Sequence, residues 1–362
     1  MWWWGQAADH HRPLNRWRAV VPDEVRVEDV PSDPGDWPGA RLHVMTGKGG
    51  TGKTTLAVAA AIALASGGRR TLLIEVEGRQ GIAQLFGCPP LPYAERRVAV
   101  ARGGGEVHAL AVDVEDALLE YLQTVYHLGR ARWALGRLGV LDFVTTIAPG
   151  LRDVFLTGRI CQALQGSQSD GARYDAVVVD APPTGRVARF LNVNQQVAGL
   201  ARVGPVRDQA ESIMEVLRSG QTTVHVVTLL EEMPTQETVD VVAELRGIGL
   251  PVGGVLVNMV GRPVLSAGDL ILTQSRQLPR AEIAHGLAAA GLPTSAAVVD
   301  ALIGEAVDAA DRVALEAAER AALASLGRPT YELPWLAEGI DLGGLYELAA
   351  ALTDQGLGVS GS

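Results

Sequence analysis

Residues 47–55 read GKGGTGKTT, from Gly47 to Thr55. They fit the pattern G-x-x-x-x-G-K-[ST], in which backbone N–H groups surround the phosphates of a nucleotide. A short strand is predicted directly before this stretch, over Arg41–Thr46, and an apolar helix directly after it, over Thr54–Ser66. Because strand, glycine-rich segment and helix follow one another in the required order, the stretch predicts a phosphate-binding loop rather than an ordinary turn.

The side chains of this loop suit a bound nucleotide and a divalent cation. The ammonium of Lys53 can pair with the phosphates, and the hydroxyl of Thr54 can ligate Mg²⁺. Unpaired N–H groups and the helix dipole favour anions at the same point. A second lysine, Lys48, follows the first glycine, a variant typical of ATPases that act as face-to-face dimers. The predicted nucleotide-binding residues of the loop are Gly47, Lys48, Gly49, Gly50, Thr51, Gly52, Lys53, Thr54 and Thr55.

The composition favours a large globular protein of the cytoplasm. Of the 362 residues, 48% are hydrophobic, which suffices for one large core. A net charge of −10 argues against nucleic acid as a partner, because nucleic-acid binders carry a basic face. The two cysteines, Cys88 and Cys161, lie far apart, which suits a reducing compartment and argues against a zinc site. No apolar run is long enough to predict an integral membrane segment.

Downstream of the loop, predicted strands and helices alternate. Four short runs rich in β-branched residues are predicted as buried strands: Arg70–Glu75, Tyr174–Asp180, Thr222–Thr228 and Val252–Asn258. Further strands are predicted over Val107–Val112 and, at a sheet edge, over Thr330–Leu333. This alternation predicts an α/β fold with a doubly wound, mostly parallel sheet of the P-loop NTPase type.

The chain is predicted to hold one ATPase domain, at residues 40–362, with helical additions. Residues 1–39 are rich in Pro, Asp and Gly without sustained periodicity, which predicts a disordered tail. Helical spacing over about residues 113–170 predicts an inserted α-helical subdomain, and a second helical region extends over about residues 265–326. The apolar residues of the insertion either pack an auxiliary helical layer or line a hydrophobic groove; they are Val114, Leu118, Leu122, Val125, Val140, Leu141, Phe143 and Val144.

Asp180 ends an apolar predicted strand, one crossover away from the phosphate loop. A carboxylate at this point can hold the water shell of Mg²⁺. The next residues, Ala181-Pro182-Pro183-Thr184-Gly185, are stiff at the prolines and free at the glycine, as expected of a switch that senses the γ-phosphate. The predicted metal ligands are therefore Thr54 and Asp180.

Two glutamates follow the second predicted strand, in Glu75-Val76-Glu77-Gly78. A carboxylate there could orient and polarise the water that attacks the nucleotide. Either glutamate could equally be a solvated charge in a turn, and the residues alone do not distinguish Glu75 from Glu77.

These motifs occur in the order used by one family. Together they resemble the arsenical-pump ATPase (ArsA) family, which includes the ATPase that delivers tail-anchored membrane proteins. Within it they resemble an actinobacterial-type subgroup whose members occur as paired paralogues. The resemblance covers about residues 41–356, and the matching segments are GKGGTGKTT, IEVEGRQGIAQLFG, APGLRD, DAPPTGRVARFL, LLEEMPTQETVDVVAEL and VLVN.

The resemblance implies that Lys48 reaches across a dimer interface to the partner's nucleotide. It also implies a catalytic set of Lys48, Lys53, Glu77 and Asp180. Glu77 falls at the position of the family's water-activating aspartate, and a glutamate is longer by about 1.5 Å. Because displacements of this size can cost about 10²-fold in rate, either the loop compensates or hydrolysis is slow.

The resemblance further implies how the base is recognised. Asn258 matches the asparagine that binds adenine, whose edge requires both a donor and an acceptor. Pro334 lies in Leu333-Pro334-Trp335-Leu336, which matches the segment on the other side of the base.

The implied ligands are ATP and Mg²⁺, and the implied assembly is a homodimer or a heterodimer with a paralogous ATPase. ATP-driven closing and opening would handle a hydrophobic or membrane-protein client. The alternatives are the energising cytosolic subunit of an anion or metalloid transporter, and a regulatory subunit with weak hydrolysis. Metalloid efflux is disfavoured, because arsenite needs soft thiolates that two distant cysteines cannot supply. A positioning ATPase of the septum-site type ranks last, because the C-terminus lacks a basic amphipathic helix.

Overall fold

The structure is a computed structural model that describes residues 39–126, 149–166, 173–197 and 205–357. Except for residue 39, the predicted disordered tail lies outside these residues. The middle of the predicted helical insertion also lies outside them, including Val140, Leu141, Phe143 and Val144.

Eight strands form one sheet in the described part of the chain. They are β1 (Leu42–Gly47), β2 (Arg70–Glu75), β3 (Arg96–Val100), β4 (Glu106–Ala111), β5 (Ala176–Asp180), β6 (Thr222–Thr228), β7 (Val252–Val260) and β8 (Thr330–Pro334). Their order across the sheet is β3-β4-β2-β5-β1-β6-β7-β8. β3 runs antiparallel to β4, and all other neighbouring strands are parallel. The sheet confirms the predicted doubly wound, mostly parallel α/β architecture.

Strand β3 is missing from the sequence prediction. Its residues are half-buried or exposed without regular alternation, since the strand lies at the edge of the sheet. The register also shifts between Arg97 and Ala99. An edge strand of this kind carries neither the continuous apolar run of a buried strand nor a period of two residues, and so leaves no pattern to detect.

Helices cover both faces of the sheet. One face is covered by α1 (Lys53–Ala65), α2 (Gly81–Leu85) and α12 (Leu342–Asp354), and the other by α3 (Val114–Tyr126), α4 (Pro149–Ala163), α5 (Thr184–Leu191), α6 (Val193–Val197), α7 (Pro205–Arg218) and α8 (Glu232–Gly247). Helix α1 is apolar on all sides because it is buried between the sheet and α12. None of the described helices combines the length and apolarity that crossing a bilayer requires.

Residues Pro263–Val313 form a compact unit of their own. The unit contains α9 (Ala267–Gln274), α10 (Arg280–Ala289) and the first part of α11 (Ala296–Ala324). Ser266 caps α9 by accepting a hydrogen bond from the backbone N–H of Asp269 at 3.1 Å. Large apolar side chains remain exposed on this unit, among them Val264 at 79% and Ile271 at 66%.

Candidate nucleotide-binding site

The phosphate loop joins the end of β1 to the start of α1. Gly50 and Gly52 have φ values of +92° and +82°, a region that glycine enters without steric strain. A Cβ atom at Gly52 would lie 2.2 Å from Nδ2 of Asn258, and one at Gly47 would lie 2.4 Å from the carbonyl oxygen of Val227. The loop therefore needs glycine both for its backbone conformation and for its close approach to β6 and β7.

The remaining loop residues hold the loop's shape or face solvent. The hydroxyl of Thr51 donates a hydrogen bond to the backbone carbonyl of Lys48 at 2.9 Å. Gly49 is exposed, and Thr55 is half-buried in the first turn of α1. The N–H groups at this helix start form the anion-binding end of α1.

Lys53 points toward the carboxyl ends of β2 and β5. Its Nζ lies 3.7 Å from Oδ1 of Asp180 and 3.7 Å from Oε2 of Glu77, and only 12% of its side chain is exposed. The hydroxyl of Thr54 donates a hydrogen bond to Oδ2 of Asp180 at 2.7 Å. The structure thus brings together four predicted site residues that the sequence places on three separate segments.

The surroundings of Asp180 fit a hydrated Mg²⁺. Its Oδ1 is buried and takes part in no hydrogen bond with the described residues, although the Lys53 ammonium lies 3.7 Å away. Burial raises the pKa of the Asp180 carboxyl, and Lys53 and Thr54 act in the opposite direction. A buried carboxylate oxygen that lacks a donor favours a cation, and carboxylate and hydroxyl oxygens are the ligands that Mg²⁺ prefers. Thr54 and Asp180 are therefore the residues that would hold the ion.

The structure separates the two glutamates at the carboxyl end of β2, where Glu75 is the last residue of the strand and Glu77 lies beyond it. Glu75 is 2% exposed, and its carboxylate accepts hydrogen bonds from the backbone N–H groups of Gln80 and Ile82. These bonds cap the start of α2, directly after Gln80, whose φ is +56°. Glu75 therefore shapes the loop, whereas the carboxylate of Glu77 faces Lys53.

Glu77 lies among three cations. Besides Lys53, Nη1 of Arg186 lies 3.5 Å from its Oε1, and Nη2 of Arg79 lies 3.7 Å from its Oε2. The Glu77 side chain is 13% exposed, whereas those of Arg186 and Arg79 are 60% and 76% exposed. Arg186 directly follows the predicted switch Ala181–Gly185, so its ion pair with Glu77 connects that switch to the segment after β2. Neither arginine has a role in the sequence-based prediction, since nothing in their spacing brings them to Glu77.

Lys48 takes a different direction from Lys53, and these two are the only lysines in the sequence. Nζ of Lys48 lies 2.8 Å from Oε1 of Glu237 on α8, and 30% of the lysine side chain is exposed. The hydrogen bond from Lys48 is the main cause that lowers the pKa of Glu237. The hydroxyl of Thr184 donates to the other oxygen of Glu237 at 2.9 Å. Glu237 was not among the predicted site residues, although LLEEMPTQETVDVVAEL contains it and was a signal without an assigned role.

Asn258 and Pro334 lie on the neighbouring strands β7 and β8. Nδ2 of Asn258 donates a hydrogen bond to the backbone carbonyl of Thr51 at 2.9 Å, so Asn258 contacts the phosphate loop directly. Pro334 pairs in register with Val260, and Trp335 after it is 60% exposed. Recognition of adenine by Asn258 and Pro334 stays a prediction.

The arrangement has the parts that transfer of a phosphoryl group to water requires. Such catalysis depends mainly on positioning and on neutralising negative charge. Lys53 and the amides of the loop can neutralise phosphate oxygens, and the carboxylate of Glu77 beside Lys53 can accept a hydrogen bond from a water molecule. No group of three or more histidine, cysteine or acidic side chains among the described residues offers another metal site.

Comparisons with known proteins lead to the same chemistry. The family described as anion-transporting ATPase matches residues 40–220. The ATPase BagA of Mycobacterium tuberculosis is 48% identical over 326 residues, which span 89% of this chain and 96% of that protein. The arsenical pump-driving ATPase of Escherichia coli is 28% identical over 271 residues, or 69% of this chain and 44% of that protein. Its namesake in Acidiphilium multivorum is 27% identical over 268 residues, 68% of this chain and 41% of that protein.

The resemblance seen in the sequence motifs is thereby confirmed. The family model matches residues 40–220, and one relative is 48% identical over 89% of this chain. The chain therefore belongs to the ArsA family of anion-transporting ATPases and is an ATP-hydrolysing enzyme.

Proposed function

We propose that this ATPase works as a dimer that closes when ATP binds and opens after hydrolysis. The main support for the proposal is that the two lysines of the phosphate loop, Lys48 and Lys53, point in different directions. Lys53 is 12% exposed and faces its own site, whereas Lys48 is 30% exposed and pairs with Glu237. A surface ion pair of this kind is worth about 0–1 kcal/mol and is readily exchanged. Lys48 is therefore available to the nucleotide of a second subunit, either another copy of this chain or a paralogous ATPase.

Within each subunit, the roles follow from the contacts. Lys53 neutralises charge on the transferring phosphoryl group. Glu77 orients the attacking water after its carboxylate has released the neighbouring cations. Thr54 and Asp180 would hold Mg²⁺, which would supply further neutralisation of the phosphates. Contacts that only the triphosphate makes shift the population toward the closed dimer.

The proposed task of this cycle is to handle a hydrophobic or membrane-protein client in the cytoplasm. Exposed apolar side chains on the unit Pro263–Val313 support a client surface there, with Leu302 47% exposed in addition to Val264 and Ile271. Val114 and Leu118 do not contribute, because they are 8% and 3% exposed and pack in the core beneath the sheet. For these two residues the structure favours an auxiliary helical layer over a groove.

A second candidate is the energising subunit of an anion transporter. The family's description and the name of the Escherichia coli relative favour it. A metalloid is a poor substrate for this chain, since Cys88 packs on one face of the sheet and Cys161 on the other. Two thiols on opposite faces cannot bind one arsenite. A regulatory subunit with weak hydrolysis is favoured only by the three cations that hold Glu77.

Substitution of each lysine tests the dimer. Lys53→Ala should abolish ATP binding and turnover. Lys48→Ala should keep ATP binding and lose ATP-dependent dimerisation, measured by light scattering with Mg-ATP, alone and with the paralogue. Because the chain has no other lysine, amine acetylation followed by mass spectrometry reports on the same two ε-amines, and labelling of Lys48 should fall on dimerisation. The proposal is contradicted if the wild-type chain, saturated with ATP, stays monomeric both alone and in the presence of the paralogue.

A further inference from the structure

A polar cavity of about 170 Å³ opens beside Glu77. It lies between the segment after β2, the segment after β5 and the first turns of α4. A water molecule occupies roughly 30 Å³ of liquid, so the cavity has room for a small polyatomic ion. Its apolar walls include Leu156 and Phe190, both buried, and its charged side chains are Glu77, Arg79, Arg152, Asp153 and Arg186.

The cavity holds more hydrogen-bond donors than acceptors. Each of its three guanidinium groups has five N–H donors, far more than two carboxylates can accept. Arg79 and Arg186 share Glu77, at 3.7 and 3.5 Å. Arg152 takes part in no hydrogen bond or ion pair with any residue that the structure describes. This surplus of planar donors suits a tetrahedral oxyanion, which guanidinium groups bind through paired hydrogen bonds.

The two carboxylates select among such anions. A carboxylate can only accept hydrogen bonds, so it repels a fully deprotonated oxyanion but binds one that still carries a proton. Hydrogen phosphate has an O–H group that Glu77 or Asp153 can accept, and sulfate has none. The same lining therefore favours hydrogen phosphate over sulfate.

Glu77 lies between the cavity and the phosphate loop. Glu77 lines the cavity, and its Oε2 lies 3.7 Å from Nζ of Lys53. Attack of water on the γ-phosphorus breaks the bond to the bridging oxygen of the β-phosphate and yields ADP, hydrogen phosphate and a proton. The new anion then lies on the side of the loop where the arginines converge.

We propose that this cavity is the departure site of the cleaved hydrogen phosphate, which Arg79, Arg152 and Arg186 bind after it passes Glu77. The proposal rests on the proposed function in one respect, that ATP lies on this loop with its γ-phosphate toward Glu77. Bound phosphate competes with Glu77 for Arg186, and so loosens the ion pair between the segment after β2 and the predicted switch after β5. Loss of the phosphate restores that pair.

The test is the affinity of inorganic phosphate for the full chain saturated with Mg-ADP, measured by calorimetry and by phosphorus NMR. Arg152→Gln should weaken phosphate binding by about tenfold or more, the scale of one lost charge-assisted hydrogen bond, and leave Mg-ADP affinity unchanged. The phosphate affinity of Arg152→Lys should lie between those of the wild-type chain and Arg152→Gln, because lysine keeps the positive charge but lacks the planar pair of N–H donors. Arg207→Gln is the matched control, since Arg207 is 52% exposed on α7, pairs with Glu211 and lies outside the cavity; it should not change phosphate affinity.

The second experiment compares the affinity of sulfate with that of phosphate. Sulfate should bind the wild-type chain more weakly than phosphate, and Asp153→Asn should narrow that difference because an amide can donate to sulfate. Equal phosphate affinity in the wild-type chain and Arg152→Gln overturns the proposal, as does phosphate binding that depends on Lys53 alone. Failure of the proposed function would be seen separately, as absence of ATP turnover or of ATP-dependent dimerisation. The phosphate titration requires neither turnover nor dimerisation, because it is done with Mg-ADP.

Discussion

Nζ of Lys48 lies 2.8 Å from Oε1 of Glu237, and the other oxygen of Glu237 accepts a hydrogen bond from Thr184 at 2.9 Å. One carboxylate on α8 thus connects the outward-facing lysine of the phosphate loop to the first residue of α5. In the proposed dimer, Lys48 would have to leave this contact to reach the second subunit. By holding Lys48, Glu237 would then oppose closure of that dimer.

Glu237→Gln should strengthen ATP-dependent dimerisation. The substitution keeps the shape of the side chain and removes the charge that holds Lys48, and exposed pairs of this kind are worth about 0.2–1 kcal/mol. The dimer dissociation constant should therefore fall by up to about fivefold for each subunit that carries the substitution, as measured by analytical ultracentrifugation with Mg-ATP. Glu232→Gln, an exposed residue at the start of the same helix, is the control. Weaker dimerisation in Glu237→Gln would show that the carboxylate supports the interface instead.

The paired substitutions Glu75→Gln and Glu77→Gln should have opposite signatures. Glu75 accepts two backbone N–H groups while buried, so its loss should lower the free energy of unfolding by about 1–3 kcal/mol. Glu77→Gln should lower turnover by about 10²-fold or more with a smaller change in stability, because a positioned base contributes on this scale. Urea denaturation and steady-state ATPase assays measure the two effects, and the reverse pattern would exchange the roles assigned to the glutamates.

Asp180→Asn should separate stability from ligand response. Burial raises the pKa of Asp180 above its unfolded value, so the ionised carboxylate costs folding free energy at neutral pH. The variant without ligand should therefore be as stable as the wild-type chain or more so. Addition of Mg-ATP should raise the thermal midpoint of the wild type and raise that of the variant much less, since binding to the folded state stabilises it. A variant that is less stable alone and responds normally to Mg-ATP would contradict this account.

The buried histidine pair should make folding sensitive to acid. Nδ1 of His43 lies 3.3 Å from Nε2 of His225, and the rings stack in the middle of the sheet. Burial lowers the pKa of His43 to about 4. The pKa of His225 is also lowered, mainly by burial and secondly by the charge of His43. The unfolded imidazole takes up a proton near pH 6.5, whereas the folded one does so only near pH 4. Stability should therefore be complete above the unfolded pKa and fall as the pH drops through this window.

From His43 alone, the loss between pH 7.5 and pH 5 should be about 2 kcal/mol. Urea denaturation of the wild-type chain and of His43→Asn at both pH values measures it. The variant, which cannot titrate at this position, should lose less stability on acidification. Identical pH dependence in the two proteins would show that other groups cause the effect.

The fold was readily predicted where local patterns are strong. β2 and β6 have the predicted bounds, because both are mostly buried runs rich in aliphatic or β-branched residues next to turns. β3 was missed, since an edge strand with a register shift keeps some residues exposed and shows no regular period. Helical spacing over about residues 113–170 predicted helices, and the described part of that range contains α3 and α4.

The site was predicted in part. Motif chemistry selected Lys53, Thr54 and Asp180 because each has a fixed place relative to a strand or helix end. The structure brings the three side chains together, and their roles stay predictions. By residue chemistry alone Glu75 and Glu77 looked alike, and only the family resemblance selected Glu77. The structure then gives the two glutamates different surroundings. Arg186 and Glu237 carry no local signal for their contacts, which form because parallel strands bring their carboxyl-end segments to one edge of the sheet.

Sequence alone was sufficient for the phosphate loop, the parallel sheet and the family, since these depend on residue chemistry and periodicity over short distances. Tertiary packing was needed to show that Glu77 rather than Glu75 faces Lys53, that Lys48 turns away to Glu237, and that arginines from three segments line one cavity. The physical reason is that each of these contacts joins charges from distant parts of the chain, and burial and distance set the strength of such contacts.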